Sequence, residues 1–171
     1  MDNTILFFGY GANRSNERLK DIFGKELEGG YGTVLEGYVL AVQVLEQIPS
    51  QAKDILQKVW GQDFKSYTIK PGKGIVAGVV WELDNNQLEV LKEWEFIGIW
   101  RELIQVTVTT FDQKTLNVMT EKSPDESSIT EIVDGLNYEN NLNKQGKRTI
   151  EIDEYKIKEI LKIKEELKNL Q

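Results

Sequence analysis

The chain predicts a mixed α+β domain, on three observations. Apolar strand patterns are separated by helical ones, yet the strands near 103–109 and 115–120 are joined by the tight turn Asp112-Gln113-Lys114. No regular succession of strand, helix and strand runs through the sequence, which disfavours a doubly wound parallel sheet. No internal repeat or low-complexity stretch divides it, so residues 1–171 are expected to form a single domain with a real hydrophobic core.

Ile5 to Phe8 is an apolar strand running directly into Gly9-Tyr10-Gly11-Ala12-Asn13. A helix over Asn16 to Phe23 follows, with Ser15 as its cap and Glu17 in its first turn. Gly24 to Gly32 reads as a glycine-rich turn region. Thr33 to Glu46, rich in Val, Leu and Tyr, predicts a long strand bent or bulged at Gly37, because interior glycine often marks such a place. Pro49 to Gly61 predicts a helix with Ile55, Leu56 and Val59 on one side, read as an insertion or flap. Pro71 to Gly74 reads as a turn into Ile75 to Leu83, a nearly continuous apolar strand whose two faces are both expected to be covered. Asp84 can cap a helix from Asn85 to Trp94, with Leu88 and Leu91 inward. Ile104, Val106 and Val108 alternate with Gln105, Thr107 and Thr109, the period of a half-buried strand, and a second strand spans Thr115 to Thr120. From Ser123 to Arg148 the chain is polar, with a short helix expected near Ile129 to Leu136. Residues 154–170 have the spacing of an amphipathic helix, through Ile157, Ile160, Ile163, Leu167 and Leu170.

Composition narrows the chemistry. The net charge is −7 with acids and bases interspersed, so the basic footprint that nucleic acid requires is missing and no nucleic-acid partner is expected. No apolar run reaches membrane-spanning length, so no membrane partner is expected. Met1-Asp2-Asn3-Thr4 carries no basic leader region, which makes the cytoplasm the expected location. The chain has no Cys and no His, which removes thiol nucleophiles, Ser-His-Asp chemistry and metal sites built on thiolate or imidazole. Carboxylates, lysines and tyrosines remain as proton carriers. The oligomeric state is not legible.

Two stretches stand out. In the first, an apolar strand enters a turn with Gly9 and Gly11 and then a polar helix start, the outline of an anion cradle. Such junctions also occur merely to reverse the chain. A dinucleotide site is disfavoured because Arg14 takes the third position of the glycine fingerprint, where helix packing needs a small residue. Pro71-Gly72-Lys73-Gly74 lacks both the glycine spacing and the Ser or Thr of a phosphate-binding loop. In the second stretch, Leu91 to Arg101, Glu95 lies between Trp94 and Phe96, with Trp100 five residues on. A carboxyl drawn among aromatic rings exchanges protons nearer neutrality than one in water. Left in solvent, Glu95 would be an ordinary helix-end carboxylate or a partner for Arg101, and Trp94 and Trp100 would be core.

Phe8-Gly9-Tyr10-Gly11-Ala12-Asn13 resembles the Tyr-Gly-Ser-Asn signature of gamma-glutamylcyclotransferases and the wider AIG2-like family. The resemblance continues in order through Leu35 to Leu40, through Ile69 to Leu83, and through Leu91-Lys92-Glu93-Trp94-Glu95-Phe96, covering about residues 5 to 120. It implies a mostly antiparallel, barrel-like sheet flanked by helices. It also implies cyclisation of a γ-glutamyl group to 5-oxoproline with release of an amine or amino acid. Carried over by residue, it places the substrate carboxylate at Tyr10, Gly11, Ala12 and Asn13, makes Glu95 the general acid/base and sets Trp100 at the aromatic after the catalytic element. The implied partner is a small γ-glutamyl compound, and no cofactor or metal is implied. Ala12 stands where the family has serine, Lys92 where it has aspartate, Phe96 where it has glycine and Trp100 where it has tyrosine. The second implication is therefore a catalytically silent module that binds a small carboxylate metabolite.

Overall fold

The computed structural model describes residues 4–126, 129–132 and 134–138. In chain order the elements are β1 (Ile5–Gly9), α1 (Asn16–Phe23), β2 (Glu28–Val44), α2 (Ser50–Trp60), β3 (Lys65–Leu83), α3 (Asn85–Trp94), β4 (Glu102–Thr110), β5 (Thr115–Lys122) and β6 (Thr130–Glu131). Short 3₁₀ turns occupy Gly11–Arg14 and Leu45–Gln47. The strand order β3-β1-β5-β4-β2 closes on itself because β2 also pairs with β3, giving a five-stranded barrel with β6 added at Ala41 and Val42. β1 and β5 are parallel and every other pairing is antiparallel. The expected α+β, mostly antiparallel, barrel-like sheet is thus observed.

The longest strands set the shape. β2 and β3 pair from Glu28 opposite Glu82 to Val44 opposite Lys65, with the register slipping between Glu36 and Tyr38. Gly37 sits at that slip with φ 85, an angle that favours glycine, so the predicted bulge is present. Beyond it the ribbon crosses the barrel end where β1 and β5 finish: Tyr67 lies against Gly11, and Thr68 accepts a hydrogen bond from the Ser123 amide at 2.9 Å.

Helix ends follow the local chemistry that predicts them. Ser15 Oγ accepts from Arg18 N–H at 3.3 Å to start α1, and Asp84 accepts from Gln87 N–H at 2.7 Å while Gln87 returns a bond to Asp84 N–H. Three expectations are corrected. The Gly24 to Gly32 region is a turn only at its start, since β2 already begins at Glu28 and pairing with β3 absorbs its glycines through a second register slip at Gly29 and Tyr31. Pro71 to Gly74 is no turn but the middle of β3, because Pro71 faces Tyr38 just past the bulge, where a missing N–H is tolerated. The helix expected near 129–136 is instead β6 and a turn in which Asp134 accepts from the amides of Leu136 and Asn137, each at 3.0 Å. The helix expected over 154–170 and the side chain of Val59 lie outside the described residues.

Alternation along β1 and β3 builds two cores. Phe8, Val76 and Val80 fill the barrel with Leu35, Ile69 and Val108. Their neighbours Phe7, Trp81 and Leu83 point the other way and are covered by Leu19 of α1, by α2 and by Leu91 of α3. Both faces of the 75–83 segment are therefore covered over most of its length, with Ile75 an exception at 41% exposure. α2 is no surface flap: Ala52, Ile55, Leu56 and Trp60 are all buried in the outer core. At roughly 1.5–3 kcal/mol for each large apolar side chain, its removal would expose a major part of that core. No helix among the described residues is long and apolar enough to cross a membrane.

Candidate active site

At the end of β1 the chain folds back on itself so tightly that a Cβ on Gly9 would lie 2.3 Å from the Asn13 carbonyl oxygen. Only glycine fits there. That same carbonyl accepts a bond from Trp81 Nε1 at 2.9 Å, and Asn13 N–H donates to the Tyr10 carbonyl at 3.3 Å. With its backbone fixed at both ends, Asn13 sends a side chain only 4% exposed to Glu95, where Nδ2 donates to Oε1 at 2.7 Å. Asn13 Oδ1, also buried, finds no hydrogen-bond partner among the described residues.

Glu95 is aimed by the way α3 ends. It is the C-cap, followed by Phe96 in the left-handed region at φ 56. Ile97 N–H reaches the Lys92 carbonyl at 3.0 Å and Phe96 N–H the Glu93 carbonyl at 3.3 Å, the bond pair of a Schellman ending. Glycine normally holds this position, and the family resemblance expects it. Phe96 keeps the turn instead of reshaping it. Its carbonyl then gathers the amides of Ile99, Trp100 and Arg101 at 3.1, 2.9 and 3.2 Å, which ties the loop to the start of β4.

Two effects compete at Phe96. The left-handed angle costs roughly 1–2 kcal/mol for a residue with a Cβ, while the ring is 1% exposed and packs edge-on to Trp100 at 6.2 Å. Truncating a buried Phe costs about 3–5 kcal/mol, so burial wins. Phe96→Gly is expected to lower stability by about 2–3 kcal/mol net, measured by urea unfolding. A more stable variant would mean that strain dominates.

Beside Asn13 and Glu95 lies a buried polar network that the sequence reading did not single out. Arg101 and Glu121, each 3% exposed, form an ion pair. Arg101 also donates to the Tyr67 carbonyl and Ser66 Oγ, and to the Tyr10 hydroxyl at 3.4 Å, with its guanidinium 4.3 Å from the Trp100 ring centroid. The Tyr10 hydroxyl donates to the Glu121 carbonyl. Burial pushes the Glu121 carboxyl up to about 7; Arg101 opposes this and the nearby charge of Glu95 adds to it. Burial works against the charge on Arg101, yet Glu121, Tyr10 and Glu95 together keep it firmly protonated. Burial, with Glu121 next, holds the Tyr10 phenol neutral.

The structure therefore brings Tyr10, Asn13 and Glu95 into one cluster. The pairing of Glu95 with Arg101 is not what forms: Glu95 takes Asn13 and Arg101 takes Glu121. Gly11 and Ala12 lie in the 3₁₀ turn. Trp100 is 4% exposed with Nε1 donating to Gln43 at 2.8 Å. With Gln43, Gln47, Ile48 and Ser123 it lines a cleft of about 460 Å³. An arginine opening a strand and a glutamate closing one gave only a faint signal, because their meeting depends on how β4 and β5 pair across the barrel.

No protein-family model matches the chain, and no curated protein matches its sequence. Solved structures do resemble it. An uncharacterized human protein superposes with a TM-score of 0.61 and 23% identity over 76% of this chain and 72% of its own. A gamma-glutamyl cyclotransferase gives 0.60 and 23%, over 75% and 72%. A solution structure from Arabidopsis thaliana gives 0.55 and 18%, over 98% and 90%. The architecture is that of the gamma-glutamyl cyclotransferase-like fold.

Proposed function

We propose that this chain, built on the gamma-glutamyl cyclotransferase-like fold, cyclises the γ-glutamyl group of a small amine, amino acid or peptide derivative to 5-oxoproline, with Glu95 as general acid/base. The observation that carries this reading is the 2.7 Å bond between Asn13 and Glu95, which joins the glycine turn to a carboxylate 82 residues away. The substrate brings its own nucleophile, so the protein has three tasks: to fold it into a reactive conformer, to take a proton and to return one. Glu95 removes a proton from the α-ammonium, the freed nitrogen bonds to the γ-carbon, and the bond from that carbon to the leaving amine breaks as Glu95 gives that proton to the departing nitrogen; the ring nitrogen then loses its second proton to Glu95, which passes it to the released amine, leaving a neutral lactam, an ammonium and an ionised Glu95. Asn13 holds one oxygen of Glu95, leaving the other for this exchange. The buried Oδ1 of Asn13 is a ready acceptor for the ammonium. Amides at Gly11 and Ala12 of the turn hold the α-carboxylate, and Trp100 supports the wall from behind Arg101.

Ala12, which brings no hydroxyl, favours the second reading, a module that binds a small carboxylate metabolite without turnover. Mass spectrometry of a panel of γ-glutamyl amines, amino acids and dipeptides separates the two. The expected result is 5-oxoproline released in equal amount with the amine. Saturable binding without product supports the silent module, and neither product nor binding overturns both.

A further inference from the structure

A pair of glycines in β2 reaches the candidate site through one indole ring. Gly29 stands opposite Trp81, and the register slips there, so that Tyr31 stands opposite Val80 and Gly30 is left out of the ladder. Gly29 and Gly30 take φ 100 and 83. The room they leave is used by Trp81: a Cβ on Gly29 would lie 3.2 Å from the Trp81 Cα, and one on Gly30 would lie 3.3 Å from its Cζ3. On the β1 side Phe7 stands opposite Trp81 and joins it in the outer core. So placed, the indole is 5% exposed, and its Nε1 donates to the Asn13 carbonyl at 2.9 Å. That bond is shorter than the 3.3 Å bond from the Asn13 amide to the Tyr10 carbonyl, which makes it the stronger of these two holds on the Asn13 backbone. A carbonyl held from outside the turn fixes its peptide plane, and with it the direction in which the Asn13 side chain leaves the chain. From there Nδ2 reaches Glu95 Oε1 at 2.7 Å.

We propose that Trp81 is a positioning residue of this site: its indole N–H, seated by the register slip at Gly29 and Gly30, holds the Asn13 carbonyl and so aims the Asn13 side chain at Glu95. This rests on the reading of Glu95 as general acid/base. Trp81 acts through Asn13 and not on the substrate. Without the indole N–H the buried Asn13 carbonyl loses a donor, and the turn is free to relax about Gly9 and Gly11. Asn13 then holds Oε1 less firmly, and Glu95 spends less time in the orientation from which it takes a proton. A ring that served only the core would be replaced by phenylalanine at a cost in stability alone.

Trp81→Phe keeps an aromatic ring and removes the N–H. In this variant hydrogen exchange of the Asn13 side-chain amide, followed by NMR on the full chain without ligand, is expected to quicken about three- to tenfold, the measure of one lost hydrogen bond. Release of 5-oxoproline should slow by about the same factor, with the loss in kcat and KM nearly unchanged. Trp60→Phe, a like change in the same outer core, should leave both readouts at wild-type values. Gly30→Ala keeps the indole but crowds it at Cζ3; it should move both readouts in the same direction, and it serves if Trp81→Phe misfolds. An unchanged Asn13 amide, a fall in kcat that Trp60→Phe reproduces, or a wild-type kcat in a protein whose Asn13 amide is loosened overturns the proposal. The amide is followed without turnover, so the two ideas fail separately. A wild-type protein that releases no 5-oxoproline, with the Asn13 amide loosened in Trp81→Phe, removes the reaction and keeps the positioning. Wild-type turnover matched by Trp81→Phe removes the positioning alone.

Discussion

Glu95→Gln is expected to lower release of 5-oxoproline by about 10²–10⁴-fold, the usual range for a general acid/base. The substitution is nearly isosteric, and the amide oxygen can still accept from Asn13 Nδ2, so the bond between the turn and the end of α3 survives. What disappears is the ability to carry a proton. The loss should fall on kcat with little change in KM, because proton transfer belongs to the transition state and not to ground-state binding. Urea unfolding should show a stability change well below 1 kcal/mol, since Glu95 is half-buried and its hydrogen bond persists. A wild-type rate in this variant would remove Glu95 from the mechanism. A fall in stability to match the fall in rate would give it a structural role instead.

The parts of this site that were legible in the sequence are those whose causes are local. Ser15 and Asp84 mark the starts of α1 and α3, and both caps form as their side-chain chemistry requires. Gly37 announces the bulge because few other residues take its angle. Glu95 is visible between its aromatic neighbours, and the turn from Gly9 to Asn13 by its glycines. Pro71 misled because a proline is read as an interruption, whereas the pairing of β2 with β3 offers it a place beside a bulge where no N–H is needed. The Arg101–Glu121 pair and the contact of Tyr138 with Ala77 were hidden for another reason. The first joins the open ends of the β4–β5 hairpin, 20 positions apart in sequence, and the second joins β3 to a returning segment, with Tyr138 61 positions from Ala77. Phe96 is the sharpest case. It stands where the resemblance has glycine, yet the backbone keeps the glycine angle because the ring finds a place in the core.

Arg101→Met is expected to be the most damaging single change in the barrel, at about 3–5 kcal/mol, the cost of leaving one member of a buried ion pair alone. The arginine holds the Glu121 carboxylate, the Tyr67 carbonyl, Ser66 and the Tyr10 hydroxyl, and methionine replaces none of those donors. The loss should depend on pH, and its sign follows from Glu121. In the native protein this carboxyl is raised from an ordinary 4.5 to about 7, so the folded state binds its proton more tightly than the unfolded chain. Its contribution to stability is fully present below about pH 4.5 and is lost as the pH rises through about 7. Glu121→Gln, which cannot titrate, should flatten that decline, and comparing urea midpoints of the two proteins at pH 5 and pH 7.5 isolates it. In Arg101→Met the opposing positive charge is gone, so the carboxyl rises further and the decline extends to higher pH. Combining Arg101→Met with Glu121→Gln should recover part of the loss, because no unpaired charge is then left in the barrel. If the double variant is as unstable as the sum of the two single variants, the pair acts through packing and not through charge. If instead stability recovers while 5-oxoproline release does not, Arg101 and Glu121 serve chiefly to hold Tyr10 in the turn that faces Glu95.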